Sequence, residues 1–284
     1  MRQAMSGTVF RIFKDRAFSA GVTILSFGML IPLLLILAYI TRNGISAINW
    51  GFLVNLPTPV GETGGGISNA LVGTLILVAL AFVLSVPMGI GAGIFLSEYR
   101  KGWLAYVVRL CTEILQGIPS IVIGIIAYAW VVIPTGRFSA LSGGVALGIM
   151  MLPVVIRTTE ETLKLIPESL REASLALGVP YYKTILRVIL PAALGGITTG
   201  ILVSIARIAG ETAPLLFTAF GSPFMETNVL KPMNSLPLLI FNYATSPYQD
   251  WHTLAWGASF VLIVMVLFLN FIAKVVTARW KVKF

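Results

Sequence analysis

The chain has 284 residues, of which 57% are hydrophobic and only 11% are charged. A soluble domain carries about a quarter charged residues, so this composition excludes that class and predicts a polytopic membrane protein. The net charge of +9 does not indicate nucleic-acid binding, because the basic residues lie between apolar segments. With Cys111 as the single cysteine and His252 as the single histidine, neither a disulfide framework nor a His/Cys metal site is expected.

Six apolar segments each reach the roughly 20 residues that a helix needs to cross a bilayer. Their approximate bounds are 17–40, 68–97, 104–133, 139–157, 192–220 and 252–276. The first is too long for a signal peptide and shows no small-residue cleavage site, so we expect it to remain as a span. Residues 1–16 are then a cytoplasmic N-terminal segment, and 17–284 form an all-α transmembrane domain.

The distribution of basic residues predicts that both termini are cytoplasmic. Sixteen of the 20 Lys and Arg residues fall on that side, including Arg100, Lys281 and Lys283, and Arg207 lies within a span. The three that fall outside are Arg42, Arg137 and Lys231.

The two long outer connections, residues 41–66 and 221–251, are rich in proline and glycine. We expect ordered irregular loops, with a short helix around 235–244. They either join spans only, or the second, with Tyr248 and Trp251, forms part of a docking face for an external partner.

Residues 167–187 are too polar to lie in the bilayer, where each charge costs about 2.5–3.5 kcal/mol. Pro167 is placed to begin a helix, and Gly178 and Pro180 are placed to end it, so a helix–turn–helix is predicted between spans four and five. A solvated amphipathic loop is the alternative that composition leaves open.

The spacing within this segment resembles the cytoplasmic signature of bacterial binding-protein-dependent ABC importer permeases. That signature is Glu-Ala-Ala, three residues, Gly, nine residues, Ile, one residue and Leu-Pro. The chain has Glu172-Ala173-Ser174, Gly178, Val188 and Leu190-Pro191, with Ser174 and Val188 as departures. In that family the segment is the coupling helix, which seats in a groove of an ATPase. The resemblance implies that the coupling residues are Glu168, Arg171, Glu172, Ala173, Ser174, Gly178 and Tyr181.

Further motifs resemble the PstA-type subunit of the phosphate importer over a core at residues 65–276. The most specific runs from Ala206 to Ala219 and contains Gly210-Glu211-Thr-Ala-Pro214; others are Asn69–Thr74, Leu96–Tyr99, Gly117–Ser120 and Leu152–Glu161. The resemblance implies a type I ABC importer permease fold of six transmembrane helices, import of inorganic phosphate, and a place in the cell (inner) membrane among its lipids. It also implies a PstC-type permease in a heterodimer, a PstB-type ATPase dimer and an external phosphate-binding protein.

No Gly-x4-Gly-Lys-Ser/Thr phosphate loop occurs in the sequence. ATP and Mg are therefore expected on the partner ATPase, with no cofactor and no enzymatic activity on this chain.

Three ionisable residues in predicted spans are candidates for the substrate path: Glu113, Arg207 and Glu211. Such groups usually face an interior cavity and pair with one another. One interpretation is a structural Arg207–Glu211 pair; the other is an anion contact on the substrate path, since a guanidinium donates to phosphate oxygens. Glu211 would then accept the P–OH hydrogen that phosphate has and sulfate lacks.

Other functions remain as alternatives. A permease for sulfate or molybdate belongs to the same class. An ion channel would leave the Glu172–Pro191 segment without a purpose, and a membrane enzyme would need a nucleophile–base pair that the sequence does not offer.

Overall fold

The computed structural model describes residues 2–62, 64–99 and 101–279, and their side chains except at 2–10, 12, 13 and 276–279. Arg100, Lys281 and Lys283, which support the predicted orientation, lie outside the described residues. So do Met1 and residues 280–284, the two ends of the predicted domains.

The described chain folds into helices joined by irregular loops. The helices are α1 (Arg2–Gly44), α2 (Trp50–Val54), α3 (Ser68–Glu98), α4 (Trp103–Gly117), α5 (Ser120–Thr135), α6 (Ala140–Lys164), α7 (Glu168–Ala176), α8 (Tyr181–Ile208), α9 (Ala213–Leu216), α10 (Leu236–Ala244) and α11 (Gln249–Arg279). Five are long and apolar enough to cross a membrane, α1, α3, α6, α8 and α11, and α4 with α5, bent at their junction, gives a sixth if the pair is counted as one span. The predicted all-α membrane fold is confirmed.

Helix α6 forms the centre of the bundle, because glycines let its neighbours approach closely. A Cβ placed on Gly93 of α3 would lie 2.5 Å from Cβ of Thr159, and one on Gly200 of α8 would lie 2.4 Å from Oγ1 of Thr158. Leu147, among other buried side chains, fills the space between these helices.

The predicted third span, 104–133, is not one straight helix. It breaks at Gly117–Pro119, and α4 and α5 meet there at 110°. Ile118 is extended, as expected for a residue before proline, and Pro119 has no amide hydrogen to continue the helix.

The predicted bounds of the fifth span, 192–220, are wrong at both ends. Helix α8 begins at Tyr181, so Lys183 and Arg187 lie in its first two turns, and it ends at Ile208. A π-helical turn at Ile185–Ile189 precedes Pro191, whose missing amide hydrogen interrupts regular helical bonding. Gly210 and Pro214 explain the break at 209–212 that separates α8 from α9, since neither favours a continuing helix.

Helix α1 runs without interruption through the predicted boundary at residues 16 and 17. It contacts the bundle near its C-terminal end, where the Tyr39 ring meets the Trp256 ring edge-on at 5.2 Å and Gly44 packs against the Trp256 carbonyl. Large apolar side chains between Phe18 and Ile36 are exposed.

Loops and α10 cover the end of the bundle opposite α7. The amides of Ser139, Ala140 and Leu141, at the start of α6, donate to the carbonyls of Thr218, Lys231 and Val229. These bonds satisfy donors that a helix start leaves without partners. The short helix predicted at 235–244 is confirmed as α10, which the Ser235 side chain caps.

Candidate functional site

Arg207 and Glu211 lie where α8 ends, and the structure brings them together. Arg207 is the second-last residue of α8 and Glu211 follows in the break, with Nε of Arg207 3.9 Å from Oε1 of Glu211. That distance is too long for a hydrogen bond, so the guanidinium keeps donors for another acceptor. The Arg207 side chain is 57% exposed and that of Glu211 is 20% exposed.

Both side chains line a cavity of about 210 Å³. Its other walls include Gln116 and Ser120, on either side of the α4–α5 break, and Pro153 of α6. One cation, one carboxylate and two neutral polar side chains form a lining that suits a small oxyanion.

Gln116 and Ser120 were not among the predicted site residues. The signal that points to them is the adjacent Gly117-Ile118-Pro119 sequence, which breaks a membrane helix. Broken helices are tolerated at membrane depth where they line a cavity, and such cavities are common binding sites.

Glu113, the third predicted path residue, is not in this cavity. Its Oε1 lies 3.6 Å from Nη1 of Arg157, and Nε of Arg157 also binds Oε1 of Glu161 at 2.9 Å. Glu113 precedes Gln116 by about one helical turn of α4. The ion pair of Glu113 with Arg157 therefore lies about one turn away from the cavity wall that Gln116 forms.

The predicted coupling segment is a helix, α7, followed by a turn at Gly178, where φ is +76°. Five of the seven predicted coupling residues are exposed: Glu168, Glu172, Ala173, Gly178 and Tyr181. Leu175 and Leu177, which the sequence analysis did not single out, are also exposed, at 40% and 84%. The outward face of this segment therefore combines carboxylates with apolar side chains.

Three of the predicted residues, Arg171, Ser174 and Tyr181, make side-chain hydrogen bonds within the chain. Arg171 donates from Nη1 and Nη2 to the two carboxylate oxygens of Glu98, at 2.6 and 2.8 Å, and the Tyr181 hydroxyl donates to the same carboxylate. Burial alone would lower the pKa of Arg171, but the hydrogen bond and charge of Glu98 outweigh it and raise that pKa. The Ser174 and Thr184 hydroxyls share a buried hydrogen bond of 2.9 Å.

A second buried cluster lies at the same end of the bundle. Glu160 of α6 is 2% exposed and accepts hydrogen bonds from Arg109 Nε at 2.9 Å and Lys164 Nζ at 2.5 Å. Arg109 of α4 also donates to the carbonyl oxygen of Leu96 in α3 at 2.8 Å. The sequence analysis used Arg109 and Lys164 only to predict topology. The four-residue spacing of Glu160 and Lys164 on one helix could have predicted their ion pair, but not the contact with Arg109.

Within the described residues, no group of three or more His, Cys, Asp or Glu side chains is arranged to hold a metal ion.

The chain matches the model of the family described as binding-protein-dependent transport system inner membrane component over residues 85–282. It is 43% identical over 256 residues to the phosphate transport system permease protein PstA of Yersinia pestis, covering 90% of this chain and 86% of that protein. It is 46% identical to PstA of Xylella fastidiosa (strain 9a5c), covering 79% of each chain. A probable PstA of Methanocaldococcus jannaschii is 36% identical, with coverage of 90% and 91%.

Among solved structures, an inward-facing conformation of the MetNI methionine ABC transporter is similar, with a TM-score of 0.61. The match covers 76% of this chain and 95% of that chain at 21% identity. At this identity the likeness concerns the fold, and it agrees with the arrangement of helices described above.

Proposed function

Because the chain belongs to the family of binding-protein-dependent transport system inner membrane components, and within it to the PstA-type permeases, we propose that it forms part of the membrane path of an ATP-driven importer of inorganic phosphate. The single observation that carries this proposal is the Arg207–Glu211 cavity at the break between α8 and α9, at the far end of the helix that begins beside α7. One helix thus joins a site suited to an anion to a segment suited to a motor.

A partner ATPase binds ATP and Mg and seats on the outward face of α7. The exposed Leu175 and Leu177 supply apolar contact, and Glu168 and Glu172 supply negative charge that would face basic residues at the rim of the ATPase groove. A PstB-type ATPase dimer has this role in the proposal, with α7 and both termini on the cytoplasmic side of the cell membrane.

A second permease of PstC type completes the path. Arg207 is more than half exposed in the isolated chain, although an intramembrane charge is costly when it faces lipid. A related subunit on that side covers the guanidinium and leaves the cavity between the two permeases.

The phosphate-binding protein docks at the opposite end of the bundle. A groove of about 710 Å³ lies there between residues 56–60 and 220–224, with Tyr243 and Trp251 among its walls. Tyr248 packs edge-on against Trp251 with ring centroids 5.6 Å apart, which joins it to this surface.

Phosphate fits the cavity because its oxygens accept from the guanidinium while its P–OH group donates to Glu211. Sulfate has no hydrogen to donate near neutral pH and would meet the carboxylate as a like charge. The proposal therefore assigns oxyanion attraction to Arg207 and selectivity to Glu211. A loose ion pair at 3.9 Å suits a passing ion, which must be released again.

The test is ATP-dependent uptake of radiolabelled phosphate by proteoliposomes that contain the two permeases, the ATPase and the binding protein. Arg207→Ala should abolish uptake while the complex assembles and still hydrolyses ATP. Arg207→Lys, which keeps the charge but loses the planar donor pair, should retain part of the phosphate uptake. Uptake of sulfate or molybdate but not phosphate by the wild-type complex would contradict the substrate, and unchanged uptake by Arg207→Ala would contradict the site.

A further inference from the structure

The C-terminal end of α3 carries a buried carboxylate that the proposed function does not use. Glu98 is the last residue of α3, and its side chain is only 5% exposed. It accepts from Arg171 of α7 and from Tyr181 of α8, which lie on the two sides of the Gly178 turn. One carboxylate therefore holds both limbs of the helix–turn–helix against a third helix.

The main chain alone does not fix the orientation of α7. Three residues, 165–167, join it to α6, and the turn at 177–180 joins it to α8. Rotation about the backbone bonds of such turns would let a short helix tilt. The bonds to Glu98, together with the Ser174–Thr184 hydrogen bond, remove that freedom.

Glu98 is also connected to the walls of the cavity. Helix α3 packs on α6 so closely at Gly89 that a Cβ there would lie 2.7 Å from Val155, and Pro153 of the same α6 lines the cavity. Arg109 binds the Leu96 carbonyl, two residues before Glu98, and α4 carries Gln116 into the cavity. A displacement of the end of α3 thus reaches two walls of the cavity through packed or hydrogen-bonded contacts.

We propose that Glu98 is a positioning residue that makes α7 and α3 move as one body, so that displacement of α7 reaches the α4 and α6 walls of the cavity as well as α8. The inference rests on the proposed function, because it needs α7 to be driven by an ATPase. Without the joint, α7 tilts on its turns, and ATP is hydrolysed without the walls of the cavity rearranging.

The first test is the number of phosphate ions taken up per ATP hydrolysed, measured in the reconstituted complex. Glu98→Gln keeps the shape of the side chain but removes its charge. We expect hydrolysis to stay within about twofold of wild type while uptake falls by about tenfold or more, within the range of typical coupling between sites. Asp15→Asn, the same exchange at an exposed carboxylate of α1, should change neither quantity.

The second test restores the connection by another bond. Glu98→Cys and Arg171→Cys are combined in a Cys111→Ser background, because Cys111 is an exposed thiol. A reversible bifunctional thiol reagent then links the two cysteines. Uptake should be low before cross-linking, recover after it and fall again on reduction.

The outcomes separate the two proposals. Absence of ATP-dependent phosphate uptake by the wild-type complex would contradict the proposed function itself. Wild-type uptake with an unchanged uptake ratio in Glu98→Gln would contradict only the joint. Loss of assembly and hydrolysis together in Glu98→Gln would also overturn it, because that indicates a merely structural role. So would uptake that does not recover on cross-linking, because a fixed link between α3 and α7 would then not restore coupling.

Discussion

At the residue scale, the chain treats its ion pairs differently according to where they lie. Arg171 and Glu98 are mostly buried and make two short hydrogen bonds, whereas Arg207 and Glu211 are partly exposed and 3.9 Å apart. A buried bidentate pair fixes geometry, and breaking it leaves a charge without a partner. An open pair remains available to a third charge, which is what the proposed ion path needs.

Glu211→Gln tests whether the carboxylate in the cavity rejects sulfate. The amide removes the negative charge and can donate to a fully ionised oxyanion, so we expect uptake of sulfate relative to phosphate to rise by about tenfold, or ~1.4 kcal/mol. The measurement is uptake of both radiolabelled ions with the binding protein held constant. An unchanged ratio would mean that selection takes place outside this cavity.

Glu226 provides a test of pH dependence in the loop between α9 and α10. Its hydrogen bond with Lys231 lowers the pKa of Glu226, and its carboxylate also accepts from the amide of Asn228 at 3.1 Å. A depressed pKa stabilises the folded loop at pH values above the unfolded pKa, and this contribution is lost over the range in which pH falls from the unfolded pKa through the lower folded value.

Hydrogen exchange at the Asn228 amide should therefore accelerate, beyond its intrinsic pH dependence, as pH falls through that range. Glu226→Gln should remove this extra acceleration. If the amide of the wild-type loop shows the same profile as that of Glu226→Gln, the carboxylate does not hold the turn.

At the scale of single elements, the Ser174–Thr184 hydrogen bond fixes α7 against the start of α8. Both side chains are buried, so Ser174→Ala leaves the Thr184 hydroxyl without its partner and should lower stability by about 1–3 kcal/mol. Ser174→Ala combined with Thr184→Val removes both hydroxyls and should recover most of that loss. Thermal unfolding of the purified complex measures both; equal losses in the single and double variants would contradict the role of the hydrogen bond.

The elements differ in how far the sequence predicted them. The break near Gly178 and the short helix α10 were predictable, because glycine and proline act locally on the backbone. The end of α8 at Ile208 was missed although Gly210 and Pro214 lie just beyond it, because the segment 192–220 is apolar as a whole and hydropathy does not report the path of the backbone.

The site was predicted in part for a related reason. Residue type and position identified Arg207, Glu211 and the α7 segment, but not which side chains of α7 face inward. Arg171 binds a carboxylate 73 residues away in sequence, and a helix of nine residues is too short for its pattern to indicate such a partner.

At the scale of the whole molecule, the close packing of α3 on α6 joins the α7 end to the cavity. Gly93→Ala would place a methyl group 2.5 Å from Cβ of Thr159 and 2.9 Å from the Ile156 carbonyl oxygen, so the two helices must separate. We expect a loss of about 1–3 kcal/mol in stability, the usual cost of overpacking.

Gly91→Ala is the matched control, because no atom lies within 4 Å of its added Cβ. It should leave stability unchanged or raise it by up to about 1 kcal/mol through helix propensity. The comparison uses the unfolding temperature of each variant in detergent. Equal values for the two variants would mean that α3 and α6 are not packed at this distance.

The helix break at Gly117–Pro119 has an electrical consequence. It lies about 22 Å along α4 from the start of that helix, and backbone groups freed there need water or protein partners. A water-filled approach to this depth is at nearly the potential of the adjoining bulk solution, so the transmembrane voltage falls across the thinner dry layer that remains. Moving an anion into a negatively charged cell interior costs about 2.3 kcal/mol of work per charge per 100 mV. On the proposed path, the positive charge of Arg207 offsets part of that cost beside the helix break.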